Sequence, residues 1–215
     1  MAVISDPAFK HGFNKPIWNW LYADNHLAVE CRNKHQMAVD YYIINTAEPT
    51  VRLVDFDSRQ WWSALHHLGG HLSIKLYQDE NAQIESYLYY DLTGTKIAER
   101  PDSVKVNQKV AHPVMYPQGH DYFAIAAEFV QKHDAEAAPT LGIEYLEAED
   151  YVILSYYTGN KSISQWLLIT DKNGNKLLST IIDTNVQGLG HHSFLVIDQR
   201  LIFVKEKVEL IIYDL

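Results

Sequence analysis

Cysteine is almost missing from this chain. Cys31 is the only one in 215 residues, so no disulfide can form within the chain and no Cys-x-x-Cys ligand set exists. Positive charge is also scarce, with 18 Lys and Arg against 27 Asp and Glu and a formal net charge of −9. Binding nucleic acid or an anionic membrane through charge requires a basic face, which this balance does not provide. No apolar run approaches the roughly 18 residues that span a bilayer. Met1–Phe13 shows no basic stretch leading into an apolar one, so no signal peptide is expected. Together with the lone cysteine, these absences point to the cytoplasm.

The usual catalytic signatures are missing too. There is no His-Glu-x-x-His and no Gly-x-Ser-x-Gly elbow. Gly188–His192 (GLGHH) precedes a predicted strand and not a helix, so it is not a phosphate loop. Cys31 falls at the end of a predicted strand and reads as a small packing residue.

What is present is apolar and aromatic. Hydrophobic residues make up 47% of the chain, with 14 Tyr, 5 Trp and 7 Phe, enough for a sizeable core and inclined towards β structure. One pattern occurs four times. Two apolar strands are joined by a tight turn, and a polar connection leads to a third strand ending in Asp or Asn.

The copies begin IWNWLY, WWSALHH, IEYLE and SFLVI. Their first turns are Ala23–Asn25, Leu68–Gly70, Ala148–Asp150 and Asp198-Gln199. The first three copies add a fourth strand. In two of them it follows an Asp-x-x-Gly turn, at Asp91–Gly94 and Asp171–Gly174, where Asp bonds its own backbone and Gly accepts a positive φ. Third strands such as Tyr41–Ile44 and Leu167–Ile169 are continuously apolar, as expected for strands covered on both faces.

The expected fold is therefore all-β, a set of antiparallel four-stranded meanders in one propeller-like domain over 1–215, with a β-sandwich as the alternative. The units run about 16–56, 61–99, 141–183 and 192–215. The last lacks a fourth strand, and Ala2-Val3-Ile4 is the candidate to fill it and join the chain ends. Residues 100–140 interrupt the repeat. There Phe123, Ala126, Ala127 and Val130 share one helical face, Asp121 is a candidate N-cap and Pro139 lies beyond the end. This segment is an inserted helix of about three turns or a degenerate fifth unit.

The stretches His112-Pro-Val-Met-Tyr-Pro-Gln-Gly119, Tyr122-Phe123, Phe129, Gly142–Glu147 and Ser155–Tyr157, with Trp18, Trp20 and Asp171–Gly174, together resemble an uncharacterised bacterial family, a domain of unknown function. The resemblance implies a bacterial, β-rich protein and carries over no activity and no catalytic residue.

Two groups of side chains invite a functional reading. HHLGGH, His66 to His71, sets His67 and His71 on either side of a hairpin turn, where they can meet as a cross-strand pair. With His191 and His192 they would make a divalent-metal site, zinc for example, at about 2.0–2.2 Å per nitrogen. The spacing matches no known ligand pattern, and polar residues at strand ends explain these positions equally. The second group is aromatic: Trp18, Trp20, Trp61, Trp62, Tyr156, Tyr157 and Trp166 lie on or beside predicted strands. Neighbours in a strand point to opposite faces, so one of Trp61 and Trp62, and one of Tyr156 and Tyr157, is a candidate for an exposed binding face. The acidic run Glu144, Glu147, Glu149, Asp150 reads as a solvated turn, or less simply as a cation site. Asp171–Gly174 lacks the later ligands of a calcium loop.

Two functions follow as expectations. One is a non-enzymatic binding or scaffold protein without a cofactor, presenting its sheets to a protein or small ligand. The other is a hydrolase-like metal enzyme using His66, His67, His71, His191 and His192.

Overall fold

The computed structural model describes residues 4, 6–78, 83–102, 109–190 and 193–215. The chain opens with β1 (Phe9–Gly12). A first meander follows in β2 (Ile17–Ala23), β3 (His26–Asn33), β4 (Ala38–Asn45) and β5 (Thr50–Leu53). A second comprises β6 (Ser63–Leu68), β7 (Leu72–Tyr77), β8 (Ile84–Tyr90) and β9 (Lys96–Ile97). Two short strands, β10 (Val110–Ala111) and β11 (Val114–Pro117), lead into α1 (Asp121–His133). A third meander is β12 (Pro139–Glu147), β13 (Tyr151–Thr158), β14 (Ser164–Asp171) and β15 (Lys176–Asp183). The chain ends with β16 (Phe194–Ile197), β17 (Arg200–Lys205) and β18 (Glu209–Asp214).

The protein is thus all-β with a single helix among the described residues, arranged in four antiparallel sheets of which none closes on itself. No described helix is long and apolar enough to cross a membrane. Packing groups the chain into two compact units, one of Phe13–Gln108 and one of Met1–Gly12 with Lys109–Leu215.

The turns follow their chemistry. Asp24 and Asn25 both take positive φ (45° and 61°), as do Asp198 and Gln199 (47° and 64°), the conformation that matches a two-residue turn to the strand twist. At both Asp-x-x-Gly turns the carboxylate gathers backbone N–H groups. Asp91 accepts from Thr93 and Thr95, Asp171 accepts from Asn173 and Asn175, and Gly94 and Gly174 sit at φ 88° and 79°. The Thr93 hydroxyl and the Asn175 side-chain amide donate to them as well, and these bonds first, then the backbone ones, hold both carboxyls below the usual carboxylate range.

In the Phe13–Gln108 unit the two meanders share one core. Ala28, Val39, Tyr41 and Ile43 of the first pack with Leu65, Leu72, Ile74 and Tyr90 of the second.

In the other unit the β11–β15 sheet is covered on both sides. Leu146, Ile153, Leu167 and Ile169 meet Phe194, Val196, Leu201 and Phe203 of the next sheet. Val152, Leu154, Tyr156 and Leu168 meet Ala126 and Val130 of α1. Strand alternation explains the continuous apolar run: Leu167 and Ile169 face one cover and Leu168 the other.

Three expectations change here. The helix forms as its spacing predicts, but its N-cap is His120, whose side chain accepts from the Tyr122 N–H, and Asp121 is the first helical residue. An Asp there still faces the positive end of the helix dipole favourably. The segment around the helix also supplies strands, because β11 pairs with β12 and β10 with β16. The N-terminal segment does complete the last sheet, but through β1, which pairs antiparallel with β18 from Phe9↔Ile212 to Gly12↔Glu209. Ala2 and Val3 of the proposed filler lie outside the described residues. Phe9 is buried against that sheet and Lys10 pairs with Glu209 at 3.0 Å, which gives the stretch after Pro7 its advantage.

Candidate functional site

The HHLGGH segment lies at the β6–β7 hairpin of the Phe13–Gln108 unit. Its turn is displaced by one residue from the expected Leu68-Gly69-Gly70. Leu68 still pairs with Leu72, and the connection is Gly69-Gly70-His71, braced by the Gly69 N–H donating to the His71 carbonyl at 3.0 Å. His67 therefore faces Ser73 across the ladder and not His71. The two imidazoles meet all the same, their ring centroids 5.8 Å apart.

A β-bulge makes the difference. The β6–β7 register shifts between Leu65 and His67, leaving His66 as the extra residue. In a regular strand His66 and His67 would face opposite sides; a bulge re-aims side chains, and both line the same cavity. That cavity measures about 370 Å³ and also takes in His71, Ser73, Tyr87, Tyr89, Arg100 and Pro101. Tyr87 and Tyr89 share a face of β8, and Tyr89 pairs with Ser73. The rings of His66 and Tyr87 are 5.0 Å apart, and those of His71 and Tyr89 5.8 Å.

No known protein family, curated protein or solved structure matches this chain.

The electrostatics of the cavity are one-sided. Its described lining holds a guanidinium and three imidazoles but no carboxylate. His71 is 5% exposed, and burial together with the neighbouring His67 and Arg100 holds its pKa below the ordinary value. His66 is lowered likewise by burial, then by Lys75, His67 and Arg100. The Nε2 of His67 is buried without a hydrogen-bond partner among the described residues. Such an unmet group costs about 1–3 kcal/mol unless something supplies the partner.

A consequence for stability follows. The unfolded chain protonates His71 near the ordinary value of about 6.5, whereas the folded chain does so only at lower pH. Between those values the unfolded state binds more protons, so stability is complete above about pH 6.5 and drains as pH falls below it. His71→Gln is expected to flatten this loss, seen as a smaller difference in urea midpoint between about pH 7.5 and about pH 5.5. An equal difference in both proteins would show that His71 does not carry it.

The other candidates separate cleanly. His191 and His192 lie outside the described residues. Among the described residues no three His, Cys, Asp or Glu side chains gather as metal ligands. Trp61 and Trp62 precede β6 and do not lie on it; Trp62 is 43% exposed, while Trp61 is half-buried over Arg32. Tyr156 and Tyr157 are both buried, which corrects their assignment to an exposed face. Alternation turns Tyr156 towards α1, and Tyr157 accepts the Gly190 N–H at 2.9 Å. With both faces of the sheet covered, neither direction leads to solvent.

In the acidic run, Glu144 is buried and accepts from the Ser193 N–H and hydroxyl. Glu147 pairs with Lys172 at 2.5 Å, which lowers its pKa. Glu149 and Asp150 rim a wider cavity of about 920 Å³ with Lys109, Lys172 and Asp198. Cys31 is fully buried and its thiol is pushed up to about 12 by burial, then by Asp40. At that value almost no thiolate forms at neutral pH.

Sequence reasoning missed Ser73, Tyr87, Tyr89 and Arg100. The two tyrosines carried a signal, the period-2 spacing of SYLYY. Arg100 carried none, because its place depends on the path of the chain after β9.

Proposed function

We propose that this is a non-enzymatic binding protein, whose site is the His-rich cavity at the β6–β7 hairpin and whose ligand is small. The observation that carries this is the convergence of His67, His71, Ser73, Tyr87, Tyr89 and Arg100 on a concavity of about 370 Å³. That volume is in the range of ligand pockets, which combine apolar walls with a few placed polar groups. The tyrosine rings are the walls, and the unpartnered His67 Nε2 is a polar group in want of a ligand atom.

The four meanders are read as propeller-like blades, with β1 completing the last. This rests on the repeat and on the β1–β18 pairing.

The test is a thermal-shift screen of the full chain with neutral, cationic and anionic small molecules, repeated on His71→Phe. At least one compound should raise the melting temperature of the wild type and not of the variant. A screen without hits, or hits unaffected by the substitution, would overturn the assignment of this cavity. A metal-dependent enzyme is the second reading, favoured by the same free nitrogen of His67 beside His71. Stoichiometric zinc, iron or manganese in the purified protein would establish it in place of the first.

A further inference from the structure

The binding reading leaves the chemistry of the ligand open, and the lining of the cavity narrows it. A divalent cation would enter beside the charge of Arg100, and the three imidazoles do not gather as a ligand set among the described residues. An anion meets the opposite situation. Arg100 is permanently charged and, among the described residues, has no carboxylate partner. His71, nine-tenths buried, and His67, whose Nε2 has no partner among the described residues, line the same cavity.

We infer that this cavity binds a small organic phosphate, its phosphoryl oxygens shared among Arg100, His67 and His71 and its carbon skeleton laid against Tyr87 and Tyr89. The inference rests on the binding reading above and specifies its ligand class. A carboxylate offers two oxygens in one plane, which the Arg fork alone satisfies. Here the donors number more: the guanidinium, two imidazoles and the Ser73 hydroxyl. A tetrahedral group with three terminal oxygens uses them all. A cavity of about 370 Å³ leaves room for a ring or a short chain.

Binding is coupled to protonation. The groups facing His71 are His66 and His67 on β6, Tyr87 and Tyr89 on β8, and Arg100 after β9, with Lys75 on β7 beside His66. Every ionised group among them at neutral pH is cationic, so the empty cavity resists a further proton. A dianion reverses the sign of that interaction. The complex therefore takes up protons, and affinity rises as pH falls.

Calorimetric titration of the full chain with phenyl phosphate, benzoate, phenol and zinc chloride tests this. Inorganic sulfate serves for the pH series because its charge is constant there. The expected result is one phenyl phosphate per chain, bound on the order of tenfold more tightly than benzoate, one charge-assisted contact being worth about that factor. Arg100→Gln, at an exposed position that does not risk the fold, should weaken it by a similar factor. Sulfate should bind more tightly at about pH 6 than at about pH 8, either side of the imidazole value, and His71→Gln should remove that difference.

Equal binding of phenol and phenyl phosphate, indifferent to Arg100→Gln, would overturn the phosphate assignment and leave the binding reading standing. Stoichiometric zinc uptake lost in His67→Gln would overturn both in favour of a metal site. Failure of all the probes would overturn the phosphate assignment, while hits in the broader screen would keep the binding reading alive.

Discussion

Replacing Glu30 by alanine is expected to cost about 3–5 kcal/mol of unfolding free energy, the range found when one partner of a buried ion pair is removed. Glu30 is 1% exposed and Arg32 9%, and the Arg32 Nε lies 2.5 Å from a Glu30 oxygen. The second carboxylate oxygen accepts the Leu65 N–H at 3.0 Å. Arg32 in turn donates to the backbone carbonyls of Trp61 and Ser63. Its guanidinium carbon lies 4.7 Å from the Trp61 ring centroid and 5.9 Å from that of Trp18. One buried pair on β3 thus ties the first meander to the entry of the second. Removing the carboxylate strands both a buried guanidinium and a backbone donor.

The cost lies in breaking the pair, and not in its net worth. Replacing both residues by apolar ones, as in Glu30→Leu with Arg32→Met, removes the stranded charge and is expected to recover only part of the loss, because the Leu65 N–H and the carbonyls of Trp61 and Ser63 then lose these partners. Urea unfolding followed by tryptophan fluorescence measures both variants. A loss below about 1 kcal/mol for Glu30→Ala, typical of an exposed pair, would show that this network is not what joins the two sheets.

Deleting residues 1–12 is expected to destabilise the unit that contains β16–β18 and to make it self-associate. The deletion removes the burial of Phe9, worth about 1.5–3 kcal/mol, and the ladder along Phe9↔Ile212 to Gly12↔Glu209. It leaves β18 as an open edge whose Leu210, Ile211 and Ile212 are apolar and buried in the intact protein, a template for pairing with another chain. Size-exclusion chromatography with light scattering should find dimers or larger species. A synthetic peptide of residues 6–14 added in trans should return the deletion protein to monomer. A monomeric deletion variant of unchanged melting temperature would show that β1 is dispensable to the sheet.

Glu144 repeats the device of Glu30 in the other unit. It is a buried carboxylate on one sheet that accepts the Ser193 N–H just before β16, the first strand of the next meander. Tyr157 does the same for Gly190. Neither role shows in the sequence, where Glu144 reads as one of four acids near a turn and Tyr157 as half of an aromatic pair. A polar residue in a strand is legible as such; the distant backbone group it will satisfy is not, because that partner arrives through tertiary packing.

The strands themselves were legible. Apolar alternation and two-residue turns depend on neighbours in the chain, and they placed most strands of the four meanders within a residue or two, although the reading missed the first four residues of β12 and ran past the end of β5. The helix was legible for the same reason, apart from its cap. β10 and β11 were not, because each is short and gains its stability only from the edge strand it joins.

The amino-acid sequence by itself determined the all-β class, the hairpin turns and their chemistry, and an acidic chain with a single cysteine. It also drew attention to HHLGGH. Only the tertiary structure decided what those histidines do. A bulge after Leu65 turns His66 and His67 to one side, the turn slips to bring in His71, and the chain after β9 delivers Arg100. Local pattern fixes which faces of a strand are apolar. A cavity is made by elements that meet from far apart in the chain, and their meeting is set by the packing of the whole core.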